Sequence, residues 1–386
     1  MKIYQQAGHN TSWNLESLKQ DSACDGIIFS PVHYPHHALI QVDKSIKINS
    51  LFDPQFYVPD SQKQKLNTYS FFPEKLMNGF VTSDYAIYAH ESAKACIQFQ
   101  ISCGFEAIII PARYFDDLVS DYVAKQKAFT VEPFLSALED FNVTADVYLS
   151  LPVTFAMLSD DDYRTKLLNW VTSYQEVTGV YLLVCHDETT KQIIDYKKLK
   201  SHLDFVNELK ASGLKLICGY AGTEGLLLTT ALIDAVSVGA YENTRGFSID
   251  KFLDDDQTRR GPAPRIYFPK LLNWIRYDTA IEIKEDHPIL WNEIYTPNQY
   301  SDNVLQKAQR PHFSQPDLYK AHFMQKYQQY KKLFVANKTQ RVDILKQWVS
   351  EADKLYGRIN SEGVMFFDGN CKGEHLPVWN RILNKM

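Results

Sequence analysis

The sequence lacks the features that mark secreted, membrane and disulfide-rich proteins. No apolar signal segment follows Met1, and no run approaches the roughly 20 apolar residues of a membrane span. The six cysteines include no CxxC pair, and several lie in or beside apolar runs. We therefore expect a cytoplasmic protein with reduced, buried thiols and no membrane contact.

The chain also lacks an excess of basic residues. Its 41 Lys and Arg residues against 46 Asp and Glu residues give a net charge of −5. This balance excludes a global basic field for nucleic acid but leaves local basic patches open. Hydrophobic residues at 45% and charged residues at 23% exclude a disordered chain. The length of 386 residues suffices for one large barrel with an appendage, or for two ordinary domains.

What the sequence does contain is a regular alternation of apolar and helical segments. The eight apolar segments are Lys2–Gln6, Gly26–Ser30, Ser50–Phe56, Glu106–Pro111, Asp146–Leu151, Val180–Cys185, Leu214–Gly219 and Ala235–Gly239. Their near-continuous hydrophobicity is typical of strands buried on both faces of a parallel sheet. Helical patterns lie between most of them, at Trp13–Ser22, Asp84–Ser102, Asp117–Phe141, Asp160–Thr178, Tyr196–Ser212 and Thr223–Leu232. The alternation predicts an α/β protein, a (β/α)8 TIM barrel.

The barrel is predicted to span residues 1–265, with an insertion at about 59–83. The insertion carries Tyr69, Phe71 and Phe72, and we interpret it as a lid or an interface. Long connections of this kind are often functional.

Residues 266–386 are predicted to form a mainly helical C-terminal extension packed on the barrel. Pro269–Tyr277 has the pattern of a short amphipathic helix, and Asp317–Phe334 and Thr339–Arg358 carry apolar residues at helical spacing. We interpret the Tyr/Lys/Gln run Lys326–Lys332 as a solvated helix face, with contact to an anionic partner as the alternative.

The segment Leu214–Arg245 reads as a strand, a Gly-rich turn, a short helix and a second strand, the last quarter of a barrel. Its glycines permit close backbone approach, and Thr223 stands where a helix N-cap belongs. A phosphate or carboxylate would fit there, with arginines adding charge. Alternatively, the glycines serve only tight turns, and Glu224 would repel a dianion. The predicted anion-binding residues are Gly219, Gly222, Thr223, Gly239, Arg113 and Arg245.

Asp53 is the first candidate for catalysis, because a carboxylate within the apolar segment Leu51–Tyr57 must be paired or functional. The alternative is a turn cap or an internal salt bridge with Arg113. Asp187 and Glu242 follow the sixth and eighth strands and are further candidates for acid–base chemistry, or caps of the following segments. Further candidates for the barrel mouth are His9, His33, Gln55, Tyr57 and His186.

Metal and cofactor signals are weak. The set His33, His36 and His37 lacks the HxH and HExxH patterns, so we predict hydrogen-bonded loop histidines and no bound metal. Cys185, His186 and Asp187 cannot act as one catalytic set, because adjacent residues of a strand point to opposite faces. No cofactor is evident. A flavin is a candidate, because the terminal anion site of such barrels can hold its phosphate.

The motifs GYAGTEG and DAVSVGAYENTR make the chain similar in outline to (β/α)8 barrels that close with a phosphate-binding Gly turn. The order of Gly turn, short helix, Asp234, Thr244-Arg245 and Arg259-Arg260-Gly261 resembles the tRNA-guanine transglycosylase family over about forty residues. That family's nucleophilic aspartate would fall near Ser237 or Val238, and its Cys/His zinc subdomain is absent. The resemblance implies base exchange in nucleic acid, and no catalytic residue is carried over from it.

Three functions follow from these observations. The first is an enzyme that acts on a small phosphorylated or nucleoside-like substrate by carboxylate acid–base chemistry at the C-terminal ends of the strands. The second is a transglycosylase-like enzyme that modifies bases in tRNA or DNA. The third is a catalytically inactive barrel that serves as a binding or assembly module. The polar strand ends favour the first two, and the oligomeric state is left open.

Overall fold

The computed structural model describes residues 1–77, 82–186, 191–239, 244–253, 263–307, 309–312 and 315–386. At its centre lies an eight-stranded parallel sheet. Its strands are β1 (Lys2–Gln6), β2 (Gly26–Phe29), β3 (Leu51–Phe52), β4 (Ile108–Ile110), β5 (Val147–Val153), β6 (Gly179–Val184), β7 (Lys215–Cys218) and β8 (Ala235–Val238). Each strand overlaps one of the predicted strands, so all eight predictions are confirmed.

The sheet curls into a nearly closed barrel. Its strand order is β3-β2-β1-β8-β7-β6-β5-β4, which leaves β3 and β4 at the two ends. The Glu106 N–H donates a hydrogen bond to the Ser50 carbonyl at 3.0 Å and links the beginnings of these strands. The Tyr4 hydroxyl of β1 donates to the Glu106 carboxylate at 2.9 Å. The predicted (β/α)8 TIM barrel with a helical C-terminal region is confirmed.

Strand β3 ends at Phe52, earlier than the predicted Phe56. The Asp53 carboxylate accepts a hydrogen bond from the Gln55 N–H at 3.1 Å, which bends the chain. Pro54 between them has no N–H with which to continue a strand ladder. The polar residues Asp53 and Gln55 therefore lie at the end of the barrel where the strands finish.

The helices are α1 (Thr11–Glu16), α2 (His36–Ile40), α3 (Lys44–Lys47), α4 (Pro73–Met77), α5 (Thr82–Cys103), α6 (Tyr122–Gln126), α7 (Glu132–Glu139), α8 (Phe155–Ser159), α9 (Asp161–Val171), α10 (Tyr196–Ala211), α11 (Gly225–Leu228), α12 (Tyr277–Asp286), α13 (Pro288–Ile294), α14 (Gln299–Gln306), α15 (Asp317–Phe334), α16 (Lys338–Ser361) and α17 (His375–Leu383). No helix among the described residues is long and apolar enough to cross a membrane. Helices α5 and α10 confirm two of the predicted barrel helices closely.

Helix α11 differs from its prediction. It begins at Gly225, its N-cap residue is Glu224, and the expected cap at Thr223 is wrong. A 3₁₀ turn follows at Thr229–Ala231, and the left-handed Leu232 (φ 58°) ends the segment. A helix of four residues provides little dipole for an anion, which weakens the reasoning that placed an anion at its N-terminus.

The aromatic residues of the insertion belong to the core. Tyr69, Phe71 and Phe72 are buried. The Phe99 ring of α5 lies with its centroid 5.5 Å from both Tyr69 and Phe71 and 5.0 Å from Phe52 of β3. These aromatic side chains are therefore core residues between β3 and α5, and the interpretation of the insertion as a lid or an interface stays a prediction.

The C-terminal region opens with an antiparallel hairpin of β9 (Arg265–Phe268) and β10 (Asn273–Arg276). The predicted helix Pro269–Tyr277 is therefore wrong. A 3₁₀ turn at Pro269–Leu271 and the left-handed Leu272 (φ 52°) reverse the chain instead. The 269–277 segment is too short for its periodicity to distinguish a helix from a hairpin.

Helix α15 lies against the barrel and confirms the predicted helix Asp317–Phe334. Its run Lys326–Lys332 is only partly solvated. Lys331 and Lys332 are exposed, whereas Lys326 is 1% exposed and Tyr330 is fully buried. The interpretation of the run as a solvated face is wrong for its first lysine, which points inward.

Candidate active site

The inside of the barrel carries a layer of polar side chains at the C-terminal ends of the strands. The Gln6 amide donates to the Ser30 hydroxyl at 2.8 Å and accepts from the hydroxyls of Tyr181 at 3.2 Å and Ser237 at 3.1 Å. The Ser237 hydroxyl in turn accepts from the Tyr220 N–H at 2.8 Å. This network joins β1, β2, β6 and β8 to the turn after β7, and it forms a rigid floor beneath the mouth.

Asp53 lies on this floor and is fully buried. The Tyr57 hydroxyl is 2.8 Å and 2.9 Å from its two carboxylate oxygens, so one O–H serves both. The Gln55 N–H adds the turn-capping bond described above. The carboxylate is therefore a turn cap, as the alternative interpretation held, and is also held at the strand ends of the barrel.

Lys251 reaches the same place from the 3₁₀ turn Ile249–Lys251, which follows β8. Its Nζ atom is buried and has no hydrogen-bond partner among the described residues. That atom lies 3.6 Å from the centroid of the Tyr220 ring and 5.1 Å from that of Phe252. The Phe247 ring packs on both Tyr57 (5.1 Å) and Tyr220 (5.6 Å). We name Asp53, Tyr57, Tyr220 and Lys251 the axial cluster.

The acid and the amine of the axial cluster act on each other. Burial raises the pKa of the Asp53 carboxyl, while the Tyr57 hydrogen bond and the Lys251 charge oppose the rise. Burial lowers the pKa of the Lys251 ammonium, and the Asp53 charge opposes that change. The cation with the largest effect on the pKa of Asp53 is thus Lys251. The alternative interpretation had named Arg113 as the salt-bridge partner of Asp53. Both pKa values move toward neutrality, the range in which proton transfer is most effective.

Backbone strain is present at the same place. Gln55 (φ 59°) and Tyr220 (φ 49°) both adopt the left-handed conformation, which residues with side chains rarely occupy. Their side chains meet, with the Gln55 amide nitrogen 3.5 Å from the Tyr220 hydroxyl, and the side-chain oxygen Oε1 of Gln55 accepts from the Val32 N–H at 3.0 Å. Strained residues of this kind are concentrated at functional sites.

Among the predicted histidines of the mouth, His33 lies near the axial cluster. Burial lowers its pKa to about 3, with the charges of Lys251, His9 and Lys65 acting in the same direction. His33 is therefore neutral at physiological pH, and His9 is exposed. No group of three or more His, Cys, Asp or Glu side chains suited to a metal ion occurs within the described residues.

Cys185 and His186 point in different directions, as expected for neighbours at the end of β6. The Cys185 thiol acts electrostatically on Lys251 of the axial cluster. His186 lines a small cavity with Gly219, Glu224 and Tyr220 of the axial cluster, and its ring packs at 6.1 Å from that of Phe155. His186 therefore borders the axial cluster at Tyr220. The predicted catalytic residues Asp187 and Glu242 lie outside the described residues.

A second group of predicted residues surrounds a small cavity of about 10 Å³. We name it the cationic cavity, and the described residues that line it are Lys191, Gln192, Gly222, Thr223, Gly239, Arg245, Trp274, His322 and Lys326. The structure thus brings four of the predicted anion-binding residues together: Gly222, Thr223, Gly239 and Arg245.

The other two predicted anion-binding residues lie elsewhere. A Cβ atom at Gly219 would come within 2.5 Å of the Tyr181 ring, so this glycine is required by packing. Arg113, at the end of β4, lies with its guanidinium carbon 5.5 Å from the centroid of Phe115. Neither residue lines the cationic cavity, because the end of β4 and the packing side of β7 face other parts of the barrel.

The Gly-rich turn already contains an anion, the carboxylate of Glu224. This side chain is buried and accepts a hydrogen bond from the Ile193 N–H at 2.7 Å. Burial raises the pKa of Glu224 to about 7, and the N–H groups of Ile193, Glu224 itself and Thr223, together with Lys326, oppose the rise. An external anion therefore competes with Glu224 for the backbone of this turn, in agreement with the alternative stated from the sequence.

Lys191 and Lys251 were not identified from the sequence, and Lys326 only as part of the run Lys326–Lys332, for which contact with an anionic partner was the alternative interpretation. For Lys326 a signal existed, because Leu318, His322, Lys326 and Tyr330 recur every four residues and so share the buried side of α15. Lys191 and Lys251 stand in irregular segments, where no periodicity reports which way a side chain points.

Comparison with known proteins adds little to this description. No protein-family model matches the chain, and no curated protein matches it. Among solved structures, the chain is similar to dihydrodipicolinate synthase from Oceanobacillus iheyensis, with 8% sequence identity and a TM-score of 0.26 over 99% of this chain and 95% of that chain. At this score the likeness carries no argument about the reaction.

Proposed function

We propose that the protein is a TIM-barrel enzyme that transfers a proton to or from a small anionic substrate, phosphorylated or nucleoside-like. The observation that carries the proposal is the buried Asp53 carboxylate beside Lys251, whose Nζ has no hydrogen-bond partner among the described residues. Two groups of opposite type with pKa values moved toward neutrality are the usual components of acid–base catalysis. Active sites of TIM barrels lie at this end of the strands.

Asp53 is the proposed general base or acid. Tyr57 contacts both carboxylate oxygens and orients the group, and the Gln6 network beneath it prevents the floor from moving. Lys251 is the proposed partner that stabilises negative charge or supplies the second proton. Its Nζ atom contacts the faces of Tyr220 and Phe252 and has no hydrogen-bond acceptor among the described residues.

Phe247 and Phe252 of the segment Thr244–Leu253 pack against Tyr57, whose hydroxyl contacts the carboxylate. Asp53 is fully buried, so we propose that this segment moves when a substrate enters. A closed arrangement keeps water away from the reacting atoms and strengthens each electrostatic interaction. An anionic substrate is proposed because Lys251 and part of the lining of the cationic cavity, Gly239 and Arg245, lie on the segment that follows β8.

The test is a thermal-shift screen of the purified chain against sugar phosphates, nucleotides, nucleosides, flavin mononucleotide, deazaguanine bases and short RNA and DNA. Compounds that raise the melting temperature are then incubated in D₂O, and proton NMR follows deuterium incorporation and turnover. Asp53→Asn should keep binding within a few-fold and slow exchange by about 100-fold or more. Asp162→Asn, on the exposed first turn of α9, is the matched control and should behave as the wild type.

Unchanged exchange in Asp53→Asn would contradict the assigned role. A melting-temperature shift from nucleic acid alone would favour the base-modifying alternative over a small substrate. No shift with any compound of the panel would favour the binding-module alternative.

A further inference from the structure

We propose that the cationic cavity binds a phosphoryl group, either free phosphate or the phosphate of a phosphomonoester. The inference deepens the proposed function, on which it rests for the view that this group belongs to the substrate. The side chains of Lys191 and Lys326 are the proposed principal ligands, with Arg245 as a further cation. The Gly turn forms part of the wall of the cavity. It is not a proposed ligand, because its N–H groups already act on the Glu224 carboxylate.

The position of Lys326 is the first observation. Its side chain is 1% exposed, and the buried Nζ atom has no hydrogen-bond partner among the described residues. Lys326 lines the cavity from α15, one helical turn after His322, whose ring nitrogen Nε2 lies 3.1 Å from the Gly239 carbonyl. A buried ammonium without a hydrogen-bond acceptor is costly, and a bound anion would remove that cost.

The charge of the lining is the second observation. Of the described residues that line the cavity, Lys191, Arg245 and Lys326 are basic, and none carries a carboxylate. Glu224 lies behind the wall and acts on Lys326. Beyond the lining, Asp250 acts on Lys191 and Asp368 acts on Arg245, so the excess of positive charge is confined to the described lining itself. The cavity of about 10 Å³ has room for about one water molecule, so its lining side chains must move apart when a phosphoryl group enters.

Aromatic faces hold the cations in place. The guanidinium carbon of Arg245 lies 4.5 Å from the centroid of Trp274, and the Nζ atom of Lys326 lies 4.7 Å from that of Tyr267. A contact with a ring face stabilises a cation without using its N–H donors in hydrogen bonds to acceptors. Burial lowers the pKa of Lys326 to about 7, so phosphate binding near neutral pH should take up a proton at this amine.

The cavity adjoins the axial cluster along the chain. Tyr220 of the cluster and Gly222 of the cavity are two residues apart, so their Cα atoms are separated by at most about 7 Å. Arg245 and Lys251 likewise lie on one short segment after β8. A phosphomonoester with its phosphate in the cavity would thus lie near the turn that carries Tyr220 of the axial cluster.

The experiment is isothermal titration of the full chain with inorganic phosphate, glycerol 3-phosphate, ribose 5-phosphate and flavin mononucleotide, at constant ionic strength, with glycerol and ribose as uncharged counterparts. Lys326→Met and Lys191→Met should each weaken phosphate binding at least tenfold. Lys332→Met, on the exposed side of the same helix, should leave it within twofold. Circular dichroism and melting temperature establish that each variant is folded, and Lys191→Met gives the answer should Lys326→Met not fold.

If a phosphomonoester binds tenfold more tightly than inorganic phosphate, the bound phosphoryl group belongs to the substrate. If inorganic phosphate binds equally well or exclusively, the ligand of the cavity is a free phosphate ion. Absence of binding by phosphate and by every ester, or equal affinities in Lys326→Met and Lys332→Met, would overturn the inference. Asp53→Asn should bind phosphate as the wild type does. If phosphate and its esters do not bind the cavity while turnover that depends on Asp53 is observed, this inference alone is rejected. If they bind the cavity but Asp53→Asn turns over substrate as the wild type does, only the proposed function is rejected.

Discussion

The Nζ atom of Lys251 lies 3.6 Å from the centroid of the Tyr220 ring, and Tyr220 itself holds a left-handed backbone conformation. The contact joins the segment after β8 to the turn after β7. Within the part of the chain that the structure describes, the Nζ atom has no hydrogen-bond acceptor. The charge of Lys251 acts on Asp53 and lowers its pKa.

This arrangement predicts that Lys251→Met raises the pKa of Asp53 further, because it removes a positive charge that lowers it. Tyr57→Phe should also raise it, because a hydrogen bond to the charged form is lost. Carbon-13 NMR of protein labelled at the aspartate carboxyl groups measures the titration, and Asp53→Asn assigns the signal. Lys19→Met, at an exposed position, serves as the control. An unchanged Asp53 titration in Lys251→Met would show that the two groups do not interact.

Gly239→Ala is expected to destabilise the fold strongly. A Cβ atom at this position would lie 1.7 Å from the Thr244 carbonyl oxygen, so the backbone after β8 must shift. We expect a loss of about 3 kcal/mol or more in the free energy of unfolding, measured by chemical denaturation. The control is Gly357→Ala within α16, where an added Cβ meets no atom within 4 Å. That variant should gain up to about 1 kcal/mol, and equal effects of the two substitutions would contradict the close approach.

Phe99→Ala tests the aromatic core beneath the insertion. The ring contacts Phe52, Tyr69 and Phe71, so truncation should cost about 3–5 kcal/mol in the free energy of unfolding. Phe367→Ala is the matched control, because this ring is 91% exposed and should contribute within about 0.5 kcal/mol. A small loss in the free energy of unfolding for Phe99→Ala would favour the interpretation of the insertion as a loosely attached lid.

The sequence predicted the barrel well because buried parallel strands are nearly continuous apolar runs. Eight such runs that alternate with helices are typical of a (β/α)8 barrel. It also predicted where Asp53 lies, since a carboxylate inside such a run is conspicuous. Periodicity failed where elements are short, as at Pro269–Tyr277 and α11. It did not reveal Lys251, because the direction of a side chain in an irregular segment depends on distant contacts such as the Tyr220 ring.

The final prediction concerns Glu224 and the dependence of stability on pH. Burial raises its pKa from an ordinary 4.5 to about 7. Between these values the folded chain binds more protons than the unfolded chain, so this group makes stability fall as pH rises from about 4.5 to about 7. The full effect corresponds to roughly 3 kcal/mol. Below pH 4.5 the carboxyl is protonated in both states and the penalty is absent.

Glu224→Gln should therefore remove most of this decline, because the amide oxygen still accepts the Ile193 N–H while carrying no charge. Urea denaturation at a series of pH values from 4 to 8 measures the effect. Glu351→Gln, at an exposed position of α16, should retain the wild-type decline. Glu224→Gln should also bind phosphate more tightly than the wild type, since it removes the negative charge that acts on Lys326. A Glu224→Gln chain with the wild-type pH profile would show that this carboxylate is charged at little cost, and that the turn after β7 is more solvated than its burial indicates.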